Sequence, residues 1–74
     1  MATVRIGSSV TLRHGEGGEP EQWKIVDASE ADWTAGRISF ETPLARAVLG
    51  HEAGETVHVR GTQDRYAVTI LSVV

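Results

Sequence analysis

The feature that most constrains this 74-residue chain is the segment 38–50, Ile-Ser-Phe-Glu-Thr-Pro-Leu-Ala-Arg-Ala-Val-Leu-Gly. It specifies a short strand, a sharp corner and one helix over residues 43–49 with both ends written in. Thr42 is the expected N-cap, its hydroxyl placed to accept from a free amide of the first turn. Pro43 takes the first helical position, where its missing N–H costs nothing and its fixed φ suits the helix. Leu44, Ala47 and Val48 fall at i, i+3 and i+4 as one apolar stripe, widened by Ala45 and Leu49, while Arg46 points to water. Gly50 is the expected left-handed stop. A helix of about two turns does not persist alone in water. It must lie on something, and the rest of the chain supplies a sheet.

Residues 9–13 alternate, with Val10 and Leu12 on one face and Thr11 and Arg13 on the other, which reads as a strand. The glycine-rich stretch 14–20 makes a flexible connection. Residues 21–26 return as a second strand with Trp23 and Ile25 on one face, giving a hairpin with a long tip. Residues 1–7 are either a lead-in strand or a loosely held terminus. Residues 27–36 are polar and acidic; Ser29 or Asp27 is expected to cap one helical turn, with Trp33 tucked beneath it. Gly36 then releases the chain into a strand at 37–40. After the helix, residues 51–54 form a turn, 55–60 a strand with Val57 and Val59 inward, 61–64 a tight turn, and 65–73 a long last strand rich in β-formers. Several strands, short turns and one helix predict an α+β domain: a mostly antiparallel sheet covering that helix. No internal repeat or second domain is visible, so residues 1–74 are expected to form a single domain.

Composition narrows the function. A chain of this length buries only roughly 60% of its unfolded surface, so its core is modest. No apolar run approaches a membrane span, and no secretory leader pattern is present. The absence of cysteine removes disulfides and thiolate chemistry and suits a reducing cytoplasm. A net charge of −3 and the absence of a basic excess argue against direct nucleic-acid binding. Asp27, Glu30 and Asp32 lack the dense donor alternation of a calcium loop and read as a solvated loop. His14, His51 and His58 are scattered over three elements without ligand spacing. Gly15-Glu16-Gly17-Gly18 precedes a strand and lacks the lysine of a phosphate loop. Arg13, Arg60 and Arg65 could converge on one side of the sheet, but acidic neighbours disfavour a nucleic-acid groove. Trp23, Trp33, Phe40 and Tyr66 read as core in a domain this small. The residue inventory gives a binding module with no catalytic, metal or cofactor constellation.

Gly7-Ser8-Ser9-Val10-Thr11-Leu12 and Trp23-Lys24-Ile25-Val26 resemble the opening hairpin of the C-terminal domain of the Gre transcription elongation factors (GreA/GreB). Glu30-Ala31-Asp32 followed by Gly36-Arg37-Ile38-Ser39 resembles that family's middle segment. Thr42-Pro43-Leu44-Ala45-Arg46-Ala47-Val48-Leu49-Gly50-His51 resembles its most diagnostic motif, Ser-Pro-(Leu/Ile/Met)-x-(Arg/x)-Ala-Leu-Leu-Gly-Lys. Gly54-Glu55-Thr56-Val57-His58-Val59 and Tyr66-Ala67-Val68-Thr69-Ile70 match its closing strands. The resemblance covers nearly the whole chain. It departs at Thr42 for serine, at His51 for lysine and at Gly61-Thr62, where the turn is shorter.

The resemblance implies an FKBP-like fold, a curved antiparallel sheet half-wrapped around one short helix. It also implies a function: docking on bacterial RNA polymerase at the rim of the secondary channel, on the β′ subunit, in the cytoplasm. The family's transcript-cleavage role belongs to the acidic tip of an N-terminal antiparallel coiled coil. Only eight residues precede Ser9 here, so that coiled coil, which needs several heptads per helix, is not expected in this chain. The implied role is regulation of elongation without cleavage, by a chain that is not an enzyme, uses no cofactor or metal, and touches neither nucleic acid nor membrane. The partner-binding residues implied are Glu41, Thr42, Pro43 and Arg46. Two alternatives share the fold: a prolyl-isomerase-like module, disfavoured by the scarcity of aromatics, and a homo-oligomeric module self-associating through the edge of the last strand. A monomer with at most weak self-association is the expected state.

Overall fold

The computed structural model describes residues 3–15, 17–60 and 65–74. Five strands form one sheet: β1 (Ser9–His14), β2 (Pro20–Val26), β3 (Arg37–Ser39), β4 (Thr56–Arg60) and β5 (Arg65–Val73), in the order β3-β2-β1-β5-β4. The one α-helix among the described residues, α1 (Pro43–Val48), lies against β4. The expected turn at 61–64 lies outside the described residues.

Strand alternation places the core. Val10, Leu12, Ile25, Val59, Val68 and Ile70 are fully buried and close over Ala45 and Val48 of the helix. The centre of the helix stripe is therefore the pair Ala45 and Val48, with Leu44, Ala47 and Leu49 as half-buried flanks. Arg46 is exposed, as its position in the heptad-like spacing requires. Gly50 follows the helix at φ +83°, the left-handed stop expected of it.

The hairpin β1–β2 forms with Arg13 opposite Pro20. Its tip depends on Gly18, because a Cβ there would collide with the His14 carbonyl oxygen. Between β1 and β5 the register shifts at Thr11/Leu12: Thr11 faces Ser72 and Leu12 faces Ile70. Leu71 is the extra residue of this bulge and turns outward. The start of the chain is held. Val4 is 2% exposed, its amide donates to the His51 carbonyl, and its own carbonyl accepts from Gly50.

The sheet is mostly antiparallel, as expected, with one parallel pair: β3 runs alongside β2, with Ile25 beside Ile38. Other expectations change. Residues 27–36 contain two 3₁₀ turns, Ala28–Glu30 and Trp33–Ala35, and not one helical turn. The working cap is Asp32, which accepts from the Thr34 amide, whereas the Asp27 side chain caps nothing and Ser29 lies inside the first turn. Gly36 at φ +77° then reverses the chain so that β3 can re-enter alongside β2. Trp33 is 75% exposed instead of tucked, because a three-residue 3₁₀ turn has no underside broad enough to cover an indole. Finally, β5 is not an edge. It is an interior strand, paired with β1 through Val68–Val73 and with β4 through Arg65–Thr69, and the outer strands of the sheet are β3 and β4.

The helix start is held by the Thr42 cap. Thr42→Ala is expected to lower unfolding stability by about 1 kcal/mol while Thr42→Ser stays near wild type, measured by urea denaturation. Equal loss in both variants would contradict the capping account.

Candidate functional site

The site is built outward from Ser39, the last residue of β3, which is 8% exposed. Its hydroxyl oxygen accepts from the Glu41 amide at 3.1 Å. Its carbonyl accepts from the Thr42 amide at 3.1 Å and from the Thr42 hydroxyl at 2.9 Å. The same Thr42 hydroxyl oxygen accepts from the Ala45 amide at 3.3 Å, and the Thr42 carbonyl accepts from Arg46 at 2.9 Å. The amides of Glu41, Thr42, Ala45 and Arg46 are thus all held, while Glu41, Pro43 and Arg46 are exposed. Thr42 is half-buried and acts mainly as the support beneath them. The corner offers a carboxylate, a pyrrolidine ring and a guanidinium on a rigid frame.

Pro43 and Arg46 also line a shallow cleft of about 340 Å³ with Ala47, His58 and Arg60. His58 and Arg60 come from the exposed face of β4. In the sequence they are recognisable only as the polar half of an alternating strand; what brings them to the helix is the strand order, which alternation does not encode.

The other candidate groups are engaged locally. Asp32 accepts from the Thr34 hydroxyl and amide and stands 3.8 Å from the Arg37 guanidinium. Glu55 accepts from the Glu52 amide through one oxygen and lies 3.0 Å from His51 Nδ1 through the other. His14 stacks on Tyr66 with ring centroids 5.2 Å apart. Arg60 stands opposite Arg65, and Arg13 stands further along, opposite Thr69. Among the described residues no three His, Asp or Glu side chains group as a metal site would require. Trp23 and Phe40 pack on the core edge, Tyr66 lies on His14 and Trp33 projects to solvent, so the aromatics do not gather around one pocket. A second cleft of about 630 Å³, beside the 3₁₀ turns, is lined by both signs of charge, including Lys24, Asp27, Asp32 and Arg37. No helix among the described residues is long and apolar enough to cross a membrane.

Comparison with known proteins places this geometry. A family model described as "Transcription elongation factor, GreA/GreB, C-term" matches residues 2–74. The chain belongs to the GreA/GreB family. Transcription elongation factor GreA of Chloroflexus aurantiacus is 46% identical over 70 residues, which cover 95% of this chain and 45% of that protein. GreA of Limosilactobacillus fermentum is 40% identical over 70 residues, covering 95% and 44%. The chain therefore spans just under half the length of these GreA relatives. A structure of the transcription factor Gfh1 superposes with a TM-score of 0.84 at 25% identity, over 99% of this chain and 48% of that one. A GreA/GreB structure from Nitrosomonas europaea gives 0.76 at 24% identity, over 96% and 59%. The α+β, FKBP-like architecture is that of the Gre C-terminal domain.

In this Gre domain the Asp32 carboxyl is held below its ordinary 3.8, first by the Thr34 hydroxyl against the opposing effect of partial desolvation, with backbone amides and Arg37 assisting. Glu55 is held below its ordinary 4.5, first by the Glu52 amide and then by His51. A depressed carboxyl contributes stability that is full above its unfolded value and is lost as pH falls through the lower folded value. Glu55→Gln is expected to flatten the decline of the thermal midpoint as pH falls below 4.5, the ordinary glutamate value. An acid limb as steep as in wild type would contradict this.

Proposed function

We propose that this chain docks on bacterial RNA polymerase at the rim of the secondary channel, on the β′ subunit, and regulates elongation by occupying that rim. The observation that carries the reading is the match of residues 2–74 to the C-terminal part of the Gre elongation factors. The corner at Glu41, Thr42 and Pro43, with Arg46 one turn on, is the contact surface. Its physical qualification is rigidity: a frame already fixed by the Ser39 and Thr42 hydrogen bonds loses little conformational freedom on binding. Glu41 enters no ion pair among the described residues and offers its carboxylate to a basic group on the polymerase. Such a charge aids orientation and association rate more than raw affinity. Pro43 supplies an apolar contact of fixed shape.

The domain acts by occupancy and not by chemistry, in the cytoplasm where its partner works. Asp32 and Glu55, the carboxylates in the tightest local networks, are committed to holding turns, which supports a non-catalytic role.

Immobilised chain is expected to capture purified core RNA polymerase. The double variant Glu41→Ala, Pro43→Ala should retain the fold and lose affinity by about tenfold, the size of one modest hot spot. Capture by the double variant at the wild-type level would remove this surface from the account.

A further inference from the structure

The charged groups that line the cleft between α1 and β4 are, among the described residues, of one sign. The chain carries a net charge of −3, yet Arg46, His58 and Arg60 converge on one concavity whose remaining walls are Pro43 and Ala47. Among the described residues no carboxylate lines it. Elsewhere Arg37, His14 and His51 each face an acidic partner, at 3.8, 3.8 and 3.0 Å. Among the described residues Arg46, His58 and Arg60 enter no ion pair.

A second, independent observation points the same way. The β4–β5 register sets Arg60 directly opposite Arg65, both exposed. Like charges directly opposite across an antiparallel pair are destabilising. The register therefore gathers positive charge at this end of β4, beside the cleft, where an anion would offset it.

We propose that this cleft receives an acidic segment of the polymerase surface, with Asp or Glu carboxylates held by Arg46 and Arg60 and His58 beside them. The proposal rests on the docking reading above and extends it from the corner to a second contact. Guanidinium forks match carboxylates in paired hydrogen bonds, and both arginines sit where a segment crossing the β4 edge would pass. A phosphate would engage the same groups. Proteins that hold nucleic acid through phosphates, however, typically make about 6–10 such contacts on a basic surface. Three cationic positions on an acidic chain fit a short acidic peptide better. The surface then has a fixed polarity: Glu41 lies on the chain before Pro43, and the cations lie in the cleft beyond it. A partner must present a basic group and an acidic group in one order, which selects a single orientation.

The test measures the affinity of the 74-residue chain for purified core RNA polymerase by fluorescence anisotropy, with three variants. The double reversal Arg46→Glu, Arg60→Glu is expected to weaken binding by about tenfold or more. The control Arg5→Glu, Lys24→Glu makes the same change in net charge away from the cleft and is expected to stay within about twofold. Arg60→Thr, which removes the repulsion with Arg65, is expected to weaken binding while its thermal midpoint stays level or rises. This combination separates a binding role from a structural one. If wild type binds and the double reversal binds equally well, the cleft proposal falls together with the place of Arg46 in the contact surface, and the reading at Glu41, Thr42 and Pro43 stands, tested separately by its own double variant. If wild type does not bind polymerase at all, the docking reading itself falls. If single-stranded RNA displaces the polymerase, or binds the chain with the same dependence on Arg46 and Arg60, the occupant is a phosphate chain and the acidic-peptide assignment is overturned.

Discussion

The structure depends on one hydroxyl. Thr42 Oγ1 donates to the Ser39 carbonyl and accepts from the Ala45 amide, so a single side chain ties the end of β3 to the first turn of α1. Without that link, the six-residue helix would be too short to hold its own direction. Pro43 fixes the next φ, and Ala45 and Val48 anchor the turn in the core. The helix therefore gains its stability from being capped and buried and little from intrinsic propensity. Its exposed residues inherit that fixed geometry.

Strand order turns a capped helix into a surface with two characters. Because β5 is an interior strand and β4 lies at the end of the sheet, the helix packs its buried Ala45 and Val48 into one core with Val57 and Val59 of an edge strand, and Arg46 comes to border the polar residues of that strand. Edges of this kind invite pairing with other chains, and charged side chains are a common way of blunting them. His58 and Arg60 meet that requirement and, through the same placement, line the cleft with Arg46. Under the proposed docking, protection of the edge and recognition of a partner would call for the same residues.

Much of this was legible in the residues. Thr-Pro at the start, the i, i+3, i+4 stripe and Gly50 at the stop fixed the helix to within one residue, because each is a local steric or hydrogen-bonding requirement. Alternation placed β1, β2, β4 and β5 for the same reason. The direction of β3 was not legible, since alternation says which face a residue takes but nothing about its neighbour's direction. Residues 27–36 misled because Asp27 and Ser29 are good caps in general, while the actual choice of Asp32 depends on the Thr34 hydroxyl and Arg37 closing around it. Trp33 was assigned to the core on size alone, and its exposure follows from the short 3₁₀ turn that carries it. Of the site, the corner at Glu41, Thr42, Pro43 and Arg46 was readable as a capped motif. His58 and Arg60 join it only through the pairing of β4 with β5 and the seat of α1.

The central claim is that a pre-formed corner at the start of α1 is the handle by which this Gre domain is held. Hydrogen–deuterium exchange of the chain, free and bound to core RNA polymerase, tests it most directly. The account predicts that the Thr42, Ala45 and Arg46 amides are already protected in the free chain, and that added protection on binding concentrates between residues 41 and 47. Unprotected amides there in the free chain, or added protection confined to the hairpin tip and the 3₁₀ turns, would contradict it.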